Sequence, residues 1–133
     1  MRVIKFRAQD IASNKWLFGD IRHHKNDVCI FEQGGNRGEQ VKPETIGQYT
    51  GLVDRNGREI YEGDFILHED STWGGVVQWH HNGYFFINDS YGKKYQRCDS
   101  YRSLGDMLDG RPLIVTGNIH DNPDNHEMQK ENR

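Results

Sequence analysis

Two Asn-Gly dipeptides, Asn56-Gly57 and Asn82-Gly83, each stand between runs of β-branched and aromatic residues. No other feature narrows the possible folds as much. Glycine reaches the positive φ that a tight hairpin turn demands, and the flanking residues prefer extended backbone. Tyr49 to Val53 and Arg58 to Tyr61 form one predicted hairpin. Trp73 to His80 and Tyr84 to Ile87 form the other. Between them, Glu62-Gly63-Asp64 interrupts a strand pattern that resumes at Phe65. A glycine there predicts a bulge or sharp bend, the kind of corner that lets a sheet fold onto itself.

The rest of the chain reads the same way. Residues 2–8 alternate, with Ile4, Phe6 and Ala8 on one side and Val3, Lys5 and Arg7 on the other, which predicts a half-buried strand. Ser13-Asn14 offers a turn before a second run, Lys15 to Ile21, and Val28 to Phe31 is a third. Residues 33–45 hold three glycines and a proline among charges and read as a flexible loop. One short helix is expected. Ser103 is its N-cap, with Asp106 in a weak capping-box position, and Leu104, Met107 and Leu108 form its apolar face. Gly110 and Pro112 end it. Residues 113–119 make a final strand, and the polar stretch 120–133 is expected to fray or dock loosely.

Composition agrees with strands. Among 133 residues, Ala occurs only at positions 8 and 12 and Leu six times, whereas Ile and Val together number 17. That argues against a helical bundle or coiled coil. No window approaches the roughly 20 apolar residues of a membrane-spanning helix. The expected fold is mainly β: five to eight short strands curved into a small SH3-like barrel, with an N-terminal β subdomain and one short helix. Residues 1–119 are read as one β domain, with strands and a flexible loop in 1–47 and the barrel core in 48–119. The tail is 120–133.

Net charge is −3, but residues 1–26 carry +4 and residues 27–70 carry −6. A weakly acidic chain has no global grip on phosphate. The two segments either neutralise each other within the fold or support association between copies. The N-terminal segment interleaves charge with its apolar residues and lacks the apolar run of a secretory signal. Cys29 and Cys98 belong to no C-x-x-C pair and are expected as reduced, partly buried thiols. These features point to the cytoplasm and to no membrane partner.

Residues 48–66, QYTGLVDRNGREIYEGDFI, resemble the signature of the phage YopX-like family. That signature has a Tyr-Thr-Gly-Leu segment, an Asn-Gly turn, and Ile-Tyr-Glu-Gly-Asp followed by apolar residues. Residues 5–10 are similar to the family's N-terminal Phe-Arg-Ala-x-Asp, with Gln9 where Trp is expected. Residues 115–123 are similar to its closing Gly-Asn-Ile-x-x-Asn-Pro, with His120 and Asp121 where Tyr and Glu are more usual. Residues 11–47 and 67–112 show no comparable match. The resemblance implies a bacteriophage or prophage protein in the cytoplasm of a bacterial host, with a core similar to an SH3-type barrel. It implies no activity, cofactor or catalytic residue. Within the motif, Gly57 and Gly63 serve the backbone, Ile60, Tyr61, Phe65 and Ile66 serve the core, and Glu62 and Asp64 are placed to bond nearby N–H groups.

Seven histidines occur: His23, His24, His68, His80, His81, His120 and His126. A metal centre needs three or four converging ligands. Neighbouring histidines on a strand point to opposite faces, so each His-His pair offers one ligand to any given site, and a candidate set is His68 and His80 on neighbouring strands with Glu69 or Asp70. Surface or turn histidines are the expectation, and no metal or other cofactor is assigned. No G-x-S-x-G occurs, and Cys98 follows Arg97 but precedes Asp99. Asp106 and Asp109 read as a solvated helix face. Gly34-Gly35-Asn36-Arg37-Gly38 lacks the Gly-Lys-Ser/Thr of a phosphate-binding loop. The expectation is therefore a protein that is not an enzyme.

Two stretches point to binding. In residues 91–102, Tyr91, Tyr95 and Tyr101 interleave with Lys93, Lys94, Arg97 and Arg102. Aromatic faces that stack bases and cations that hold phosphates suit single-stranded nucleic acid. Asp89, Asp99 and the acidic middle segment oppose it. Small barrels also present aromatic-lined grooves to extended peptides, and Trp73, Trp79 and Tyr84 flank one hairpin as a candidate groove, although the scarcity of apolar residues favours at least one Trp in the core. The expected function is a non-enzymatic accessory role, through a protein partner or the protein's own copies. Single-stranded nucleic-acid binding is the alternative.

Overall fold

The structure, a computed structural model, describes residues 2–32, 35–89 and 102–121. The chain divides into two compact units, Met1–Gly51 and Leu52–Arg133.

In the first unit, β1 (Phe6–Gln9) pairs with β2 (Trp16–His24), β2 with β3 (Asp27–Glu32), and β3 with β4 (Gly38–Gln40), all antiparallel. The Ser13-Asn14 turn forms as expected, with Asn14 at φ +62°, a conformation Asn tolerates. Ala8, Val28, Ile30 and Val41 make the core, and Leu17, Ile21 and Ile46 pack against it. The strand expected over residues 2–8 is confined to Phe6–Gln9; Ile4, expected on the buried side, is 55% exposed, while Arg7, expected on the other, is only 6% exposed. Its guanidinium lies 4.8 Å from the centre of the Trp16 ring, so a cation–π contact keeps the charge within the fold.

Residues 33–45 are not simply a loop. They contain β4 and a 3₁₀ turn at Pro43–Thr45. Gly38 admits β4 beside β3, because a Cβ there would lie 2.5 Å from Phe31 Cζ. Thr45 Oγ1 accepts the Gln9 N–H at 2.9 Å and donates to the Lys42 carbonyl at 2.7 Å, which fastens the turn to β1.

β5 (Gly47–Val53) pairs with β1 at Phe6 with Gln48 and Arg7 with Gly47. It then carries the chain into the second unit and around the first Asn-Gly turn to β6 (Glu59–Tyr61). The order of this sheet is β4-β3-β2-β1-β5-β6. The Asp54 N–H donates to the Arg58 carbonyl at 2.8 Å, and the Gly57 N–H donates to the Asp54 carbonyl at 3.0 Å. The loop is thus Arg55-Asn56-Gly57, and the glycine alone takes the left-handed region, at φ +82°. This is a type I turn closed by a left-handed glycine, a common way to build a three-residue hairpin loop.

The second unit continues with β7 (Asp64–His68), β8 (Gly74–His80), β9 (Tyr84–Asn88), α1 (Leu104–Leu108) and β10 (Leu113–Asn118). Its antiparallel sheet has the order β10-β7-β8-β9. The β8–β9 loop repeats the first design, with the Gly83 N–H donating to the His80 carbonyl at 2.9 Å. Ser103 caps α1 as expected, its Oγ accepting the Asp106 N–H at 3.2 Å. Ile60, Ile66, Val77, Ile87, Leu104, Leu113 and Val115 form the core. Phe65, Val76 and Phe86 occupy the alternate positions of the same strands and are also buried. A sheet buried on both faces needs continuous apolar runs, and Val76-Val77 and Phe85-Phe86-Ile87 supply them.

The fold is mainly β, with two antiparallel sheets of six and four strands and one short α-helix among the described residues. Among those residues no closed barrel is formed. No described helix is long and apolar enough to cross a membrane.

Candidate interaction surface

The end of the β8–β9 hairpin gathers six ring-bearing residues, five in the two strands and His81 in the loop. Trp79 pairs across the hairpin with Phe85, and His80 pairs with Tyr84. Strand geometry sends neighbouring side chains to opposite faces, so these are two separate ring pairs. On one face, the Trp79 and Phe85 rings meet edge to face with centroids 4.8 Å apart. Phe85 packs against the core, and Trp79 reaches past it with 54% of its surface exposed. On the other face, His80 lies between His81 at 4.3 Å and Tyr84 at 4.6 Å, and the Phe86 ring meets it edge-on at 5.2 Å. His80 Nδ1 accepts the Asn82 N–H at 3.0 Å, which ties this stack to the turn.

The three candidate groove residues do not share one groove, and one Trp belongs to the core. Trp73 packs against the core at the other end of β8, about 20 Å along the strand from Trp79. Tyr84 lies on the opposite face of the hairpin from Trp79. Phe85, which holds the Trp79 ring, escaped the sequence reading. Its register opposite Trp79 follows from the three-residue loop, which Asn82-Gly83 alone does not specify.

His68 and His80, the two histidines placed to meet if a metal centre existed, also stand apart. The His68 N–H donates to the Trp73 carbonyl at 2.7 Å, which places His68 beside the start of β8, while His80 ends it, again about 20 Å away. His68 Nδ1 instead lies 2.8 Å from Asp70 Oδ1. The Thr72 hydroxyl and N–H donate to that same oxygen at 2.5 and 2.9 Å. Those bonds, the hydroxyl first, hold the Asp70 carboxyl below its ordinary 3.8, and His68 adds a smaller pull in the same direction. Among the described residues, no group of three or more His, Cys, Asp or Glu is placed to hold a metal ion. Tyr91, Lys93, Lys94, Tyr95 and Arg97 lie outside the described residues.

The family model described as YopX protein matches residues 5–125. The chain belongs to the YopX family. A solved structure with a similar fold is the crystal structure of protein EF1440 from Enterococcus faecalis. It has a TM-score of 0.62 and 21% identity, over 95% of this chain and 99% of that one. At that identity the likeness concerns the fold alone. No curated protein matches the chain significantly.

The parts of the YopX signature at 52–66 and 115–121 meet in the second unit and act on its backbone. Asp54 is buried, and its Oδ1 accepts the N–H groups of Asn56 and Arg58, both at 2.9 Å. Its Oδ2 accepts the Val115 N–H at 2.9 Å, tying the first Asn-Gly loop to β10. Asp64 Oδ2 accepts the Tyr61 N–H at 2.8 Å, bracing the bend in which Gly63 takes φ +93°. Gly63 joins two strands: its N–H donates to the Val77 carbonyl at 2.8 Å and its carbonyl accepts the Ile119 N–H at 3.0 Å. Asn118 Oδ1 accepts the N–H groups of His120 and Asp121 at 2.9 and 2.8 Å. Ile60, Tyr61, Phe65 and Ile66 are buried. The bonds made by these YopX residues fix turns and bends.

Proposed function

We propose that this protein is a phage- or prophage-encoded accessory protein that acts without catalysis, by binding a protein partner or its own copies, in the cytoplasm of the bacterial host. The observation that carries the reading is Trp79, more than half exposed yet held by Phe85. A tryptophan fixed by its neighbour loses little rotamer freedom on contact, which is what a binding hot spot needs. Covering its exposed half removes roughly 100 Å² from water, about 2.5 kcal/mol. The carboxylates of Asp54 and Asp64 support a non-catalytic role, because each bonds backbone N–H groups of its own fold. In this reading the second unit is an SH3-like barrel core, a β7-β8-β9 meander with β10 returning to β7, and the hairpin end is its docking face.

The test compares the full chain with Trp79→Ala by sedimentation over a concentration series and by pull-down from an induced lysogen. Association with a protein, or with itself, is expected to weaken about 50-fold in the variant. Undiminished association would refute the assignment of the hairpin end. Single-stranded DNA and RNA titrated at two salt concentrations test the alternative. A shift at low salt that Lys93→Glu and Lys94→Glu abolish would replace the protein-binding reading with a nucleic-acid one.

A further inference from the structure

The two Asn-Gly loops of the second unit share one backbone design and differ in the residue that opens them. Arg55-Asn56-Gly57 follows Asp54, and His81-Asn82-Gly83 follows His80. In each, the glycine N–H donates to the carbonyl of the opening residue, at 3.0 Å for Gly57 and 2.9 Å for Gly83. In each, the Asn and the Gly are exposed, and the glycine takes a positive φ, +82° and +94°. The opening side chains hold the two loops unequally. The buried Asp54 carboxylate accepts the N–H groups of Asn56 and Arg58, both at 2.9 Å, and is itself fixed to β10 through Val115. The His80 imidazole accepts the Asn82 N–H at 3.0 Å through Nδ1 and brings no negative charge.

An asparagine followed by glycine loses ammonia without an enzyme, because glycine has no side chain to shield its nitrogen. Once the glycine N–H has given its proton to hydroxide, the nitrogen attacks the asparagine Cγ. A C–N bond forms, the Cγ–Nδ2 bond breaks, and ammonia leaves with a proton taken from water. Water then opens the cyclic imide. Opening at Cγ gives aspartate, and opening at the main-chain carbonyl gives isoaspartate, whose backbone runs through Cβ and Cγ. The net reaction consumes a water, releases an ammonia and turns an amide into a carboxyl group, with no oxidant or reductant. In a folded loop the glycine N–H must first leave its carbonyl, so the rate follows the cost of opening the loop. A neighbouring carboxylate further opposes negative charge on that nitrogen.

We propose that Asn82 is a site of spontaneous deamidation, and that Asn56, in a loop of the same design, is protected by Asp54. Opening the first loop gives up two charge-assisted bonds to the Asp54 carboxylate. Opening the second gives up one bond to an imidazole. That difference makes Asn82 convert at least about tenfold faster than Asn56. The product places a carboxylate, or the longer backbone of isoaspartate, at the end of the hairpin that carries Trp79. The reaction needs the chain and water alone, so it stands apart from the protein-binding reading.

The test ages the full chain in mildly alkaline buffer, digests samples over time, and follows the Asn56 and Asn82 peptides separately by mass spectrometry, with isoaspartate resolved by chromatography. Asn82 is expected to convert at least about tenfold faster than Asn56. In guanidinium the two are expected to convert at similar rates, since each is then an Asn-Gly dipeptide in an open chain. His80→Asp puts a carboxylate at the opening position and is expected to slow Asn82 about tenfold while leaving Asn56 unchanged. Equal rates in the folded chain, or faster conversion at Asn56, overturn the proposal. A difference that persists undiminished in guanidinium overturns it too, because sequence and not fold would then set the rates. These comparisons use the wild-type chain and need no variant to fold. A folded His80→Asp chain with an unchanged Asn82 rate overturns the role given to the opening side chain, and with it the proposal.

Discussion

Replacing Asp54 with alanine removes three backbone hydrogen bonds made by one buried carboxylate. Their losses are unequal. The N–H groups of Asn56 and Arg58 sit in an exposed loop and return to water, costing about 0.5–1 kcal/mol each. The N–H of Val115 is buried and keeps no substitute, which costs a further 1–3 kcal/mol. The sum is about 3 kcal/mol. With a guanidinium slope of about 3 kcal/mol/M, the unfolding midpoint falls by roughly 1 M. Asp54→Asn separates the parts. An amide keeps one oxygen for the loop but turns its NH₂ toward the Val115 N–H, so it is expected to lose about 2 kcal/mol. Amide exchange supplies a local check, with Val115 losing protection in both variants. A midpoint shift below about 0.2 M for Asp54→Ala would refute the claim that this carboxylate ties the loop to β10.

Three further outcomes follow from the geometry. Gly75→Ala places a Cβ 2.4 Å from the Asn88 carbonyl oxygen, where backbone must move, and is expected to cost about 3 kcal/mol by thermal melting. Gly57→Ala meets nothing within 4 Å and pays only for its left-handed φ, about 1 kcal/mol, so equal melting shifts would contradict this account. Asp70 is expected to titrate below 3.8 by NMR, with Thr72→Val moving its midpoint upward. Because its folded carboxyl is depressed, the turn is favoured above the ordinary carboxylate range and loses that support as pH falls through the folded value. A wild-type midpoint at or above 3.8 would remove the role given to Thr72.

The hairpins, the capped helix and the final strand were legible because each has a local chemical marker: Gly57, Gly83, Ser103 and Gly110. β4 was not, because Gly38-Glu39-Gln40 has no strand preference of its own and is extended only through its pairing with β3. The burial of Arg7 was equally hidden, since it depends on Trp16 across the β1–β2 pair. At the candidate surface, Trp79 and Tyr84 could be named from the sequence but not assigned to faces. That assignment follows from a loop of three residues, and Asn-Gly also fits a loop of two. The separation of His68 from His80 depends on the pairing offset of β7 and β8, which no local residue encodes.

The Asp54 carboxylate and the Val115 amide lie 61 positions apart along the chain. During synthesis, the loop that contains this acid leaves the ribosome well before the amide it is to receive. The second unit therefore cannot reach its final arrangement while translation is still short of β10. Shortening the gene from its 3′ side past the codon for Val115 would strand the acid in every molecule made, however intact the preceding strands.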